Sequence, residues 1–362
     1  MKEVHNLFNE YSSNTFAGTC NNYMIKDSVK SKTSAIFYRV QKSGKQIYRF
    51  CFSNVIDSTW GDGTLFHANQ NGGCWKIISA FAGDGGAYGE PQTETGGLVP
   101  VLFSASAEKS IASGEVFWSD ETELEIPQGH YLCFKLTFCG SGIPYMPEKL
   151  VPYFSFNENE VIDNRDFPQP IFVGIKDGRR KKIVFLGDSI TQGIGTTQDK
   201  YGFWAARFAE RLNGKFSVWN IGLGCGHASD AASDGVWLNK AKTADIVFVC
   251  FGVNDIFMHR SVSEICGDIL KIICLLKKNG CRVFLLSVPP FDMIGEDRDK
   301  WYAVNEYLKS AVSKEAEGFF DVSSVLGKPA PNSHVSLFGP HPDDNGGEAL
   351  GNALYNAFGD KL

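Results

Sequence analysis

Three residues far apart in this 362-residue chain, Ser189, Asn254 and His341, are of the types that together perform acyl transfer. Ser189 ends the tripeptide Gly187-Asp188-Ser189, which follows directly on the apolar run Ile183–Leu186. A serine on a tight turn at the start of a helix has its hydroxyl exposed and backbone N–H groups converging nearby. The same hydroxyl makes a good helix N-cap, and the tripeptide alone favours that plainer role. A serine becomes a nucleophile only when a base accepts its proton. His341, in Gly339-Pro340-His341-Pro342, sits in a loop ahead of the last helical segment; His227 is its competitor and His259 a weaker one. The oxyanion that forms needs hydrogen-bond donors. The Ser189 N–H, an N–H from the glycine loop Asn220–Gly226 and the side-chain amide of Asn254, in Gly252-Val253-Asn254-Asp255, are candidates. Any one of these stretches is ordinary turn chemistry by itself. Four in succession, each at the end of a strand, are harder to explain that way.

The elements that would position them follow from the periodicity. After Ile183 the chain alternates strands and helices. Strands are predicted at 183–187, 216–221, 245–252 and 281–288, with a weaker one at 319–322. Trp204, Phe208 and Leu212 mark one helix, stopped by Gly214. Ser261 and Glu264 form a capping-box signature opening a second, with Ile265, Ile269, Ile272, Ile273 and Leu276 on one face and Gly280 as its end. Val304, Leu308 and Ala311 mark a third; Ala349, Leu350, Ala353, Leu354 and Ala357 a fourth. Such alternation builds a parallel sheet covered by helices. Right-handed crossovers bring all the strand C-termini to one edge, where open α/β sheets bind their ligands.

The first half reads differently. From Phe16 to about Phe156 it consists of short β-like runs, such as 34–40, 46–52 and 131–138, broken by glycine-rich turns. This pattern predicts an all-β, jelly-roll-like sandwich over 1–160, followed by a linker or edge segment at 161–181 and the α/β domain at 182–362. Trp60, His67, Trp75 and Tyr88 combine aromatic faces with glycine loops, which suits stacking on sugars; for Trp60 and Trp75 a core position at a strand end is the stronger alternative.

Composition narrows the class of protein. With 43% hydrophobic and 21% charged residues a sizeable core can be buried, and a formal charge of −6 argues against nucleic acid or an anionic membrane as partner. The basic run Arg179–Lys182 is read as a solvated strand entry. No apolar stretch is long enough to span a bilayer, and Met1 to Phe16 lacks a signal-peptide pattern. Ten cysteines without a Cys-x-x-Cys, with Cys250 and Cys274 inside a strand and a helix, suit free thiols and a cytoplasmic location. Seven histidines do not cluster with the cysteines at metal-ligand spacing, so neither metal nor cofactor is expected.

From Lys182 onward the chain resembles the SGNH/GDSL hydrolase superfamily. The resemblance rests on Gly187-Asp188-Ser189-Ile190, Gly252-Val253-Asn254-Asp255 and His341-Pro342, matched in order. It implies a flavodoxin-like α/β/α sandwich, Ser189 as nucleophile, His341 as base, and an oxyanion hole of Ser189, Gly224 and Asn254 without a metal. Two departures stand out. Counting five from Asn220 places Cys225 where the family has its key glycine, so the donor lies among Gly224, Cys225 and Gly226, with Gly224 preferred. Three residues before His341, where the family carries an aspartate, stands Phe338; Asp343 and Asp344 follow the histidine instead. Either a main-chain carbonyl near 336–338 orients His341 in a working Ser–His dyad, the favoured alternative, or the site is degenerate and only binds. A β-sandwich ahead of such a domain is similar to carbohydrate esterase family 2, and Ser119–Ile126 looks like the sandwich half of other two-domain SGNH esterases. The expected reaction is hydrolysis of small acyl esters, acetyl foremost, on a small-molecule or oligosaccharide substrate. A lysophospholipase or thioesterase and a non-catalytic glycan-binding protein are the alternatives, and homo-oligomerisation is left open.

Overall fold

The computed structural model describes residues 7–58, 68–92, 97–157, 160–162, 164–178, 180–329 and 336–362. Two compact units divide the chain. One comprises residues 1–56 and 69–180, the other residues 57–68 and 181–362.

The first unit is strand-rich. In one sheet His130–Gly140 is central, antiparallel to Val29–Arg39 on one side and to Trp75–Ala87 on the other. In a second, Gly44–Ser53 pairs antiparallel with Phe172–Ile175, Val116–Trp118 and Thr122–Ile126. Alternation decides which faces meet. Phe50 and Phe52, two apart on one strand, lie 4.6 and 5.7 Å from the ring of Phe134 on the other sheet. The passage read as a linker or edge segment supplies a strand of this unit, Phe172–Ile175, flanked by Gly44–Ser53 and Ser12–Ser13. Trp75 is a core residue, 4% exposed, with its indole N–H donating to Asn54 Oδ1 at 3.0 Å. Tyr88 is half-buried beneath the Arg39 guanidinium. Trp60 and His67 lie outside the described residues.

The second unit is built on five parallel strands: Lys182–Gly187, Ser217–Asn220, Ile246–Cys250, Arg282–Leu286 and Gly318–Phe320. Numbered along the chain their spatial order is 2-1-3-4-5. The first three strands are buried along their whole length, as continuous apolar runs in a parallel sheet should be. Phe185, Phe248 and Phe284 stand in register on adjacent strands and form a ladder across one face. Trp204 and Phe208 of helix Trp204–Arg211 pack on Phe185, and Phe358 of helix Asp344–Phe358 packs on Phe284. Truncating one such buried ring typically costs about 3–5 kcal/mol. The helix Val262–Lys278 opens with the capping box read from Ser261 and Glu264, and it buries all five residues of its predicted stripe.

Residues 57 and 58 interrupt the first unit in sequence yet belong to the second. Asp57 accepts two hydrogen bonds from Lys240 Nζ, at 2.7 and 2.6 Å, with both side chains buried. Ser58 Oγ donates to Asp230 Oδ2 at 2.8 Å. Removing one partner of a buried pair like Asp57–Lys240 strands a charge and costs about 3–5 kcal/mol. No period or motif announces such a pair 183 positions apart.

Candidate active site

The order 2-1-3-4-5 makes the chain leave the first strand in one direction and return on its other side. A crevice opens beyond the C-terminal ends where that reversal occurs. Ser189 follows the first strand, the glycine loop follows the second, and Asn254 follows the third. Gly187 is needed at the bend for close approach: a Cβ there would lie 2.2 Å from Thr191 Oγ1 and 2.4 Å from the Cys250 carbonyl.

Ser189 begins a four-residue helix, Ser189–Gln192, and the N-cap is Asp188, whose Oδ1 accepts the Ile190 N–H at 3.0 Å. The plainer role considered for Ser189 is thus taken by its neighbour. As the first helical residue, Ser189 has an N–H with no intrahelical acceptor. His341 Nε2 lies 2.8 Å from Ser189 Oγ. The two competitors are elsewhere. His227 is buried at the N-terminus of helix Ala228–Ala232 with Nδ1 3.6 Å from Asp230, and His259 is 81% exposed near Asp297. Burial holds the His341 imidazole below its ordinary pKa, so it stays neutral and able to accept a proton to lower pH than a free histidine.

The loop after the second strand is tied to the nucleophile helix. Asn220 Nδ2 donates to the Thr191 carbonyl at 3.0 Å, and the Gly224 N–H donates to Gln192 Oε1 at 2.5 Å. The Gly226 N–H donates to the Leu223 carbonyl. The Gly224 N–H proposed as an oxyanion donor is therefore committed to Gln192 and reaches an oxyanion only if that side chain turns away. Gln192 is the residue the sequence reading passed over, although it sits three positions from Ser189 on one helical turn. Asn254 Nδ2 spends one hydrogen on the Gly226 carbonyl at 2.9 Å, which keeps a second N–H on the same nitrogen. Next to it, Asp255 accepts from the Ala228 N–H at 3.0 Å and from Arg260 Nη1 at 2.7 Å, fixing the far end of the glycine loop.

The carboxylates after His341 have structural duties. Asp343 caps helix Asp344–Phe358 by accepting the Gly346 N–H at 2.9 Å, and Asp344 Oδ1 accepts the Thr197 N–H at 2.8 Å. Of the carbonyls expected to orient His341, that of Phe338 accepts the Asp343 N–H at 3.1 Å and that of Ser336 faces the Gly339 N–H at 3.5 Å, and neither they nor the Leu337 carbonyl receives a hydrogen bond from His341. Among the described residues, His341 Nδ1 makes no hydrogen bond to a protein acceptor. The same residues contain no group of three or more His, Cys, Asp or Glu side chains able to hold a metal ion.

Asp188 is wholly buried with Oδ2 unbonded, and this desolvation, aided by the nearby Asp255 charge, raises its pKa to about 7. An unfolded aspartate titrates near 3.9, so between about pH 4 and 7 the folded state keeps a proton that the unfolded state releases. Stability contributed by this group therefore falls as pH rises through that window and is level above it. Asp188→Asn keeps an oxygen for Ile190 and removes the titration. Urea unfolding should show the variant gaining on wild type between pH 4 and pH 8 by about 2–4 kcal/mol, from roughly 1.4 kcal/mol per pKa unit. An equal difference at the two pH values would refute the buried-charge account.

A serine hydroxyl bonded to an imidazole at the carboxyl edge of a parallel sheet is the arrangement that acyl transfer through a serine requires. Residues 185–349 match the model of the GDSL-like Lipase/Acylhydrolase family, whose members are generally carboxylic ester hydrolases. Similar solved structures include a lipolytic protein of the G-D-S-L family from Desulfitobacterium hafniense, 19% identical over 49% of this chain and 100% of that one, with a TM-score of 0.42. The psychrotrophic esterase EstA from Pseudoalteromonas is 14% identical over 50% of this chain and 97% of its own (TM-score 0.40). An acetyl xylan esterase, AlAXEase, is 18% identical over 49% and 99% (TM-score 0.39). No curated protein matches the chain.

Proposed function

We propose that the protein is a serine esterase that removes small acyl groups, acetyl foremost, from carbohydrate esters. The observation that carries the esterase reading is the 2.8 Å hydrogen bond between Ser189 Oγ and His341 Nε2. Ser189 Oγ attacks the ester carbonyl while His341 Nε2 takes its proton. The oxyanion is met by the Ser189 N–H and the Asn254 amide, with the Gly224 N–H joining them only if Gln192 turns away. Collapse of the intermediate expels the alcohol, which leaves with the proton from His341. Water, deprotonated by the same imidazole, then hydrolyses the acyl-enzyme and frees Ser189. What supports acetylated sugars is the arrangement of the chain, a strand-rich unit joined to an SGNH-type domain with Phe338 in the aspartate position. Ten free thiols suit a reducing, cytoplasmic setting.

A second reading, a lysophospholipase or thioesterase, is favoured by one observation. Phe257 and Met258 are large apolar side chains left 40% and 53% exposed, and the Phe257 ring packs on Phe291, whose own ring lies against His341. Exposed apolar side chains beside a site suit a longer acyl chain. Hydrolysis rates across p-nitrophenyl esters from C2 to C12, with mass spectrometry of acetylated manno- and xylo-oligosaccharides, separate the two. A maximum at C2 with acetate release from the oligosaccharides is expected; a maximum at C8 or beyond would replace the first reading with the second. A protein that only binds glycans would not be labelled at Ser189 by a fluorophosphonate.

A further inference from the structure

The base of this site lacks the support a serine–histidine pair normally has. Nδ1 of His341 meets no acceptor among the described residues, and an imidazole held only through Nε2 is free to swing about its Cβ–Cγ bond. One hydrogen bond to a serine hydroxyl, worth about 1 kcal/mol net, does not hold it. Something else must.

The ring of Phe291 lies against the imidazole, centroids 4.7 Å apart and planes at 82°. On the backbone side Gly195, at φ +98°, runs so close that a Cβ there would fall 2.6 Å from His341 Cβ. Phe291 is itself braced, edge to face, by Phe257 at 5.3 Å and 72°. Its loop is clipped to the segment leading into His341, since the Asp292 N–H donates to Ser336 Oγ at 3.1 Å and the Ser336 N–H returns to Asp292 Oδ1. Phe291 and Asp292 both adopt left-handed backbone, with φ of 47° and 48°. A bulky residue there is an outlier costing on the order of 1–3 kcal/mol, a conformation kept only where the surroundings enforce it. The loop accepts that cost and places one aromatic ring on one imidazole.

We propose that Phe291 is the positioning residue for His341, holding the imidazole by ring packing where a carboxylate would hold it by a hydrogen bond. This rests on the Ser189–His341 reading above. A T-shaped aromatic contact contributes about 0.5–1.5 kcal/mol beyond burial. A misaligned catalytic group can cost about 10²-fold in rate. The loss therefore belongs in kcat, because Phe291 acts through the base and not on a bound acetyl ester.

The test compares Phe291→Ala and Phe291→Tyr with wild type in the full chain, using p-nitrophenyl acetate and the rate constant for fluorophosphonate labelling of Ser189. Phe291→Ala should lower kcat about 10- to 100-fold, leave KM within about threefold and slow labelling in proportion to kcat. Phe291→Tyr, which keeps the ring, should retain at least a third of wild-type kcat. Unchanged melting temperature for Phe291→Tyr, and a folded far-UV spectrum for Phe291→Ala, separate positioning from collapse. If Phe291→Ala fails to fold, Phe291→Leu, which keeps bulk without the ring, takes its place with the same expectation. Wild-type kcat in the ringless variant, or a loss confined to KM, would overturn the proposal. Ser189→Ala run alongside separates the two ideas. If it is inactive while the ringless variant is fully active, only the role of Phe291 fails; if it remains active, the Ser–His reading fails first.

Discussion

Ser189→Ala is expected to reduce ester hydrolysis by at least about 10⁴-fold and to abolish fluorophosphonate labelling, with no loss of fold. The size follows from what the hydroxyl does. In serine hydrolases the nucleophile and its base act as a unit, and removing the nucleophile alone costs about as much as removing the whole set, about 10⁶ in the best-studied case. What survives there comes from binding and oxyanion stabilisation. Here that residue of activity should be small, because the Gly224 N–H is already engaged by Gln192. The structural cost is slight by the same geometry. Among the described residues Ser189 Oγ bonds His341 alone, and the helix is capped by Asp188, so the alanine leaves no cap missing. Losing one buried hydroxyl and its hydrogen bond costs about 1 kcal/mol. Burst kinetics and intact-mass detection of the acyl-enzyme provide the measurement. A folded Ser189→Ala protein retaining more than a few per cent of wild-type turnover would mean that another residue is the nucleophile.

How much of this was legible beforehand depended on whether a feature is local. The run Ile183–Leu186 is apolar at every position because a parallel strand is covered on both faces, and that leaves a signal within four residues. The capping box at Ser261 and Glu264 is equally local. The strand ends carrying Ser189 and Asn254 could be placed together because crossover handedness forces parallel strands to end at one edge. His341 followed because its loop precedes a helix that must return to that sheet. Contacts fixed by packing left no trace. Phe291 sits in a loop with no period, 50 residues from the imidazole it touches, and only the fold decides that it faces His341 and not solvent. The Asp57–Lys240 pair assigns a piece of the first half to the second unit, against the simple division at residue 160 or so read from composition. The glycine loop shows the same limit at one atom, since the Gly224 N–H donates to Gln192 Oε1. Whether that N–H is available depends on where Gln192 reaches, and spacing does not encode a side chain's direction.

His341→Ala should be about as damaging as Ser189→Ala, at least about 10⁴-fold, whereas Asp343→Ala should keep most activity. His341 Nε2 is the group within hydrogen-bonding distance of Ser189 Oγ, and at neutral pH a serine hydroxyl has no other route to lose its proton. Because burial holds the imidazole below its ordinary pKa of about 6.5, kcat/KM of the wild type should fall on acidification only below that value, when the base becomes charged. The alanine variant should lose that limb altogether. Asp343 is close in sequence and looks like the missing third member of a triad, but its carboxylate accepts the Gly346 N–H at the start of the last helix. Replacing an N-cap aspartate typically costs about 1 kcal/mol of stability. Asp343→Ala should therefore lower the melting temperature by a few degrees while kcat stays within about threefold, the conversion being roughly 2–4 °C per kcal/mol for a domain of this size. Replacing a true orienting carboxylate costs about 10⁴ in turnover, so the two assignments differ by more than three orders of magnitude in one assay. A fall of that size in Asp343→Ala at unchanged stability would return Asp343 to the mechanism and remove the need for any other support behind His341. A modest fall that tracks the melting temperature would leave the base supported by packing alone.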